Sequence, residues 1–119
     1  MDRRKQTGRR GEDLTAAYLL EKGYRIVTRN WVCPAGELDI IAQDGDTLIF
    51  VEVRTRRGDR FGTPAESITP AKQARLVELA QTYLQGIPAP QPGWRIDVVA
   101  VQLGQGTPRI DHIENAVGW

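Results

Sequence analysis

Two apolar runs joined by a tight turn constrain this chain more than any other feature. Residues 36–56 read GELDIIAQDGDTLIFVEVRTR. ELDIIAQ and TLIFVEV have the length and β-branched content of strands, and DGD at 44–46 is a strong hairpin signal between them. The hairpin also carries acids: Glu37 and Asp39 in the first run, Glu52 in the second. An ionised carboxylate is costly to place in a sheet unless something positive meets it.

Side chains alternate along a strand, so Glu37 shares a face with Asp39, and Glu52 with Arg54. If Asp44-Gly45 is the two-residue turn, Glu52 lies opposite Glu37. If Gly45-Asp46 is the turn, Glu52 lies opposite Asp39. Either register sends the three acids and Arg54 out on one side. Directly opposed Cβ atoms stand roughly 4.5–5.5 Å apart, close enough for like charges to destabilise the sheet. A divalent cation resolves that conflict, because hard ions such as Mg²⁺ take oxygen ligands. The plainer alternative is that the acids face water or pair with Arg54 and Arg56.

The rest of the chain builds a mixed sheet around this hairpin. Thr7 can cap a first helix through EDLTAAYLLEKG, with Gly23 as its stop, leaving residues 1–7 as a basic, flexible tail before a single domain over 8–119. YRIVTRN at 24–30 reads as a short strand. Thr69, Pro70 and Gly86 bracket a second helix, TPAKQARLVELAQTYLQG, as N-cap, first helical position and stop. IPAPQPG is a connector, WRIDVVAVQL a strand and RIDHIENA an edge strand. The order α-β-β-β-α-β, with a final β, makes an α/β fold: a strand–helix–strand crossover beside an antiparallel hairpin needs a mixed sheet with helices on its faces.

Composition narrows the function. At 119 residues with 40% hydrophobic and 26% charged residues, the chain has the make-up of a single soluble domain. No apolar run reaches membrane-spanning length, and the basic start lacks the apolar segment of a secretory signal, so a cytoplasmic location is expected. One cysteine, Cys33, and one histidine, His112, exclude an internal disulfide and a Cys/His zinc site; neither is assigned a role. Net charge is only +1, yet Arg3, Arg4, Lys5, Arg9 and Arg10 cluster at one end, and Arg54, Arg56, Arg57 and Arg60 after the hairpin. Such clusters suit phosphate contacts, although a solvated tail and loop would read the same way. Lys72 lies one helical turn before Leu76, on the apolar side of the second helix near its N-terminus, where an anion is favoured. A lysine snorkelling over the core edge fits that pattern equally.

GEDLTAAYLLEKGYRIVTRN, the acidic hairpin and HIENA together resemble the YraN-like family of small bacterial predicted nucleases. That family is placed in the PD-(D/E)xK superfamily, alongside archaeal Holliday-junction resolvases. The resemblance implies a restriction-endonuclease-like fold and a Mg²⁺- or Mn²⁺-dependent DNA endonuclease. Asp39 matches the metal-binding aspartate and Glu52 the second ligand. The carbonyl of Val53 matches the backbone ligand, and Glu12 the helix glutamate that acts on the metal through water. Lys72 stands where some members carry an auxiliary basic residue. The signature lysine is replaced by Arg54, whose guanidinium stays protonated and so can clamp phosphate but is a poor base.

The reading is thus a metal-dependent DNA endonuclease, sequence-nonspecific or structure-specific, with Glu12, Asp39, Glu52, Arg54 and Lys72 catalytic. Arg9, Arg10, Arg56, Arg57 and Arg60 would track the DNA backbone, and a homodimer would suit two-strand cleavage. The alternative is a nuclease-fold DNA-binding or adaptor module without useful turnover.

Overall fold

The computed structural model describes residues 3–58, 68–104 and 106–117. Its order is α1 (Arg3–Glu21), β1 (Arg25–Cys33), β2 (Gly36–Asp44), β3 (Thr47–Arg57), α2 (Pro70–Leu84), β4 (Gly93–Leu103) and β5 (Arg109–Ile113). The five strands form one sheet in the order β1-β2-β3-β4-β5. All neighbours are antiparallel except β3 and β4, which the α2 crossover makes parallel. This mixed α/β arrangement is compatible with a restriction-endonuclease-like fold. Among the described residues no helix is long and apolar enough to cross a membrane.

Each helix covers one face of the sheet. Ala16 and Leu19 of α1 pack on Ile40, Ala42, Ile49, Val51, Val99 and Val101. Leu76, Leu79, Ala80 and Leu84 of α2 pack on Leu38, Ile41, Leu48, Phe50 and Ile96. Fully burying one such side chain stabilises by about 1.5–3 kcal/mol, so these two layers hold the sheet between the helices. The α2 cap is as its sequence requires: Thr69 is extended and its hydroxyl accepts from the Lys72 N–H at 3.2 Å, with Pro70 beginning the helix. Trp31 and Trp94 pack edge-on, against Tyr83 and Phe50 respectively.

Two boundaries depart from the sequence expectation. α1 starts at Arg3, inside the segment expected to be a tail, so Thr7 is an interior residue and not the cap. Arginine, lysine and glutamine are good helix formers, and the Arg57 guanidinium donates to the Thr7 hydroxyl at 2.8 Å. β1 runs on to Cys33, with a register shift between Ile26 and Thr28 and a left-handed residue, Asn30 at φ 54°, within it.

The close seat of α1 on the sheet depends on one glycine. A Cβ on Gly11 would stand 2.8 Å from the Cβ of Thr55 and closer still to its hydroxyl, so the helix can reach β3 only with a hydrogen there. The neighbouring Thr15 is buried and donates to the Gly11 carbonyl at 2.8 Å. Gly11 therefore fixes the height of Glu12, the next residue, above the third strand.

At the other end of α1 a polar cluster joins α1, β4, β5 and the segments that follow α1 and β5. Asp97 of β4, fully buried, accepts from Arg95 Nε at 2.9 Å and from the Asn115 N–H at 2.9 Å, and bonds His112 Nε2 at 2.8 Å. His112 Nδ1 lies 3.1 Å from the Tyr18 hydroxyl and 3.2 Å from Lys22 Nζ. The carboxylate can only accept and the ammonium can only donate, which places the ring proton on Nε2. Arg95 also donates to the Tyr24 hydroxyl at 2.8 Å, binding the loop between α1 and β1.

Candidate functional site

The hairpin register settles which acids face each other. Asp44 pairs with Thr47 around Gly45-Asp46, and Gly45 takes φ 59°, the conformation expected at the first position of a type II′ turn. Ile40 pairs with Val51, so the register points Asp39 at Glu52. The backbone ladder ends there. Beyond it, Asp39 Oδ2 accepts the Val53 N–H at 2.8 Å, so a carboxylate takes the place of a strand carbonyl at the fork between β2 and β3.

Convergence of the acids is achieved differently from simple alternation. Leu38 packs on the α2 side of the sheet and Ile40 on the α1 side, although they are two residues apart. The strand twists through Asp39, opposite the left-handed Asn30 that separates the pairs Arg29–Ile40 and Trp31–Leu38. Asp39 consequently sits at the opening of the sheet, in reach of Glu52 from β3, Glu37 from β2 and Glu12 from α1.

The electrostatics record that crowding. Burial raises the Asp39 carboxyl, and a hydrogen bond with Glu52 and its charge raise it further. The Val53 amide opposes them, and the result is pushed up to about 8 from an ordinary 3.8. Without a cation, the Asp39 carboxyl keeps its proton at neutral pH. Burial likewise raises Glu12, with the nearby Asp39 and Glu37 charges adding to it and the Asn30 and Arg29 contacts opposing.

A cleft of about 280 Å³ opens here, lined by Gly8, Glu12, Asp39, Val53, Arg54, Thr55 and Arg56. Neither Arg54 nor Arg56 makes an ion pair or hydrogen bond within the described residues, so the acids are not neutralised by the adjacent arginines. A similar separation holds for other cations among the described residues. Lys22, Arg29, Arg57, Arg95 and Arg109 are engaged by side chains of the fold. Lys5, Arg9, Arg10, Arg54, Arg56 and Arg75 have no such partner among the described residues. Two of these six line the cleft, three lie on the first turns of α1, and the Arg75 guanidinium covers Gly36, next to Glu37.

The donors suit a hard cation with a sparse protein shell. Among the described residues no three His, Cys, Asp or Glu side chains gather closely enough to enclose an ion by themselves. Magnesium sites commonly use one or two carboxylates, with water and substrate phosphate completing the shell. Asp39 and Glu52, facing each other across β2 and β3, are two carboxylates of the kind such a site uses.

Not every residue singled out in the sequence joins this site. Lys72 is exposed on the first turn of α2 and does not line the cleft, although its spacing to Leu76 puts it on the apolar side of the helix. Arg57 is directed to Thr7, and Arg60 lies outside the described residues. Three participants were not legible beforehand: Asn30, Gly11 and Arg75. Asn30 Nδ2 donates to Glu12 Oε1 and to Glu37 Oε1, each at 2.9 Å.

Similar proteins span almost the entire chain. A UPF0102 protein of Herpetosiphon aurantiacus is 45% identical over 117 residues, covering 95% of this chain and 94% of its own length. One of Dehalococcoides mccartyi is 48% identical over 115 residues, with 97% and 95% covered. One of Symbiobacterium thermophilum is 49% identical over 113 residues, with 94% and 96% covered. The family model described as uncharacterised protein family UPF0102 matches residues 11–101, from the glycine seated on β3 through most of β4. The acidic cleft and its sheet are therefore features of a chain that belongs to the UPF0102 family.

Proposed function

We propose that this chain is a metal-dependent DNA endonuclease of the YraN-like, PD-(D/E)xK kind, acting on branched or damaged DNA. The observation that carries this reading is the facing acid pair, Asp39 and Glu52, beside a cleft whose lining arginines, Arg54 and Arg56, have no ion-pair or hydrogen-bond partner among the described residues. An acidic cleft alone repels a polyanion. Facing acids beside two arginines that nothing among the described residues engages suit a phosphodiester held against a metal. Bound Mg²⁺ or Mn²⁺ would acidify water and offset charge on the phosphate. Asp39 and Glu52 would hold it, with Glu12 acting through water. Arg54 clamps the scissile phosphate without taking up a proton, and Arg9, Arg10 and Arg56 hold the flanking backbone.

A second reading is a DNA-binding module without turnover. Arg54, standing where the superfamily carries lysine, favours it. Cleavage of linear, nicked and four-way-junction DNA at low salt with Mn²⁺ separates the two. The nuclease requires metal-dependent cutting by the wild type and loss in Asp39→Ala by at least the roughly 10–100-fold that removing even an outer metal partner costs. Arg54→Lys should keep or raise cutting, and Arg54→Ala should lower both binding and cutting. Tight junction binding with no cutting by wild type or Arg54→Lys would establish the module instead.

A further inference from the structure

We infer that Asn30 is a positioning residue for the acidic cleft: its amide gathers Glu12 and Glu37 and leaves one oxygen of Glu12 for the bound cation's water shell. The inference rests on the metal-dependent reading above and concerns a residue that no spacing or motif singled out.

The geometry is specific. Nδ2 of Asn30 lies 2.9 Å from Oε1 of Glu12 and 2.9 Å from Oε1 of Glu37. Both neighbours are carboxylate oxygens, so only the amino side of the amide can face them, and one NH₂ group supplies both protons. The more distant Arg29 guanidinium, at 4.0 Å, also addresses Oε1 of Glu12. Oε2 is therefore the oxygen left for the cleft that Glu12 lines. Without the bridge the two glutamates would repel, and each has free rotamers that point away from Asp39.

The backbone is arranged for the same task. Asn30 holds φ 54°, and asparagine is one of the few residues with a side chain that visits this region readily. This left-handed residue lies directly across from Asp39, between the pairs Arg29–Ile40 and Trp31–Leu38, with its side chain toward α1. A residue needed only for the backbone conformation could as well be glycine. Two donations to acids from different elements, one on α1 and one on β2, are what glycine cannot supply. Outer hydrogen-bond partners of this type fix the orientation of metal-site carboxylates and are worth roughly 10–100-fold in metal affinity or activity.

The test separates side chain from backbone. Mn²⁺ is titrated calorimetrically, without DNA, into wild type, Asn30→Gly, Asn30→Ala and Asp39→Ala, and each is melted in chelator. Both Asn30 variants should bind Mn²⁺ on the order of 10-fold more weakly than wild type. Their melting temperatures should differ from one another, Asn30→Gly being the more stable because glycine accepts the positive φ. Equal weakening with unequal stability identifies the amide as the active part. If Asn30→Gly binds Mn²⁺ as wild type does, while Asp39→Ala does not, the positioning role is overturned and the metal site stands. If wild type itself takes up no Mn²⁺, the metal reading falls, and the positioning role with it.

Discussion

Asp97→Ala should cost about 3–5 kcal/mol of stability, the usual result of removing one member of a buried, hydrogen-bonded charge pair. The carboxylate is fully buried and receives the Arg95 guanidinium, the His112 ring and the Asn115 N–H. Alanine leaves the His112 ring N–H and the Asn115 N–H without their acceptor, strips Arg95 of its buried counter-charge while the Tyr24 hydroxyl remains to it, and opens the junction between the end of α1 and the β4–β5 pair. Asp97→Asn retains an acceptor and the shape, and should cost less. Urea midpoints at pH 7 measure both, and a loss below about 1 kcal/mol for alanine would mean the cluster is replaceable by water. The pH dependence has a definite sign. Burial pushes the Asp97 carboxyl up, but hydrogen bonds from His112, Arg95 and Asn115 outweigh it and hold the group below its ordinary 3.8. Its contribution is complete above that ordinary value and is lost only as pH falls through the lower folded one.

Asp39→Asn should do the opposite. In the folded chain this carboxyl binds its proton up to about 8, against an ordinary 3.8, so the native state holds more protons than the unfolded one across that interval. Stability of the metal-free protein therefore falls as pH rises from about 4 to about 8 and levels off above. Asparagine can accept from Val53 and donate to Glu52, keeping the geometry while removing the charge. We expect Asp39→Asn to flatten the pH profile and to raise metal-free stability at pH 7 by at least about 1 kcal/mol, roughly 4 °C in a small domain. Saturating Mn²⁺ should stabilise wild type and leave the variant nearly unchanged. Thermal melts across pH, with and without metal, check each point; a destabilised variant with undiminished Mn²⁺ affinity would mean that the carboxylate serves the fold alone.

Where local chemistry decides, the sequence was sufficient. The Asp-Gly-Asp turn, the Thr69-Pro70 start of α2 and the apolar runs of β2 and β3 gave the right elements. The meeting of Asp39 with Glu52 also followed from one of two registers that turn chemistry allowed. What escaped depends on contacts distant in the chain. His112 was given no role because a lone histidine has no local signature, yet its partners Tyr18 and Lys22 are 94 and 90 residues away. Asn30 looked like a strand residue before a tryptophan; its left-handed backbone became visible only opposite Asp39. Lys72 erred in the other direction: helical periodicity fixes a residue's angle around the axis but not whether the sheet extends far enough to cover it.

The Asp39–Val53 hydrogen bond makes one backbone amide a spectroscopic reporter. In a continuous ladder the Val53 proton would point to a strand carbonyl, whose electron density does not change with pH or ions. Here it points to Oδ2 of Asp39, the carboxyl that burial and Glu52 push up to about 8. Protonation, cation uptake and phosphate arrival each alter the charge on that oxygen, and the attached proton's resonance must move with it. A single ¹⁵N-labelled valine signal could thus follow occupancy of the cleft in solution, without a substrate, a dye or any change to the chain.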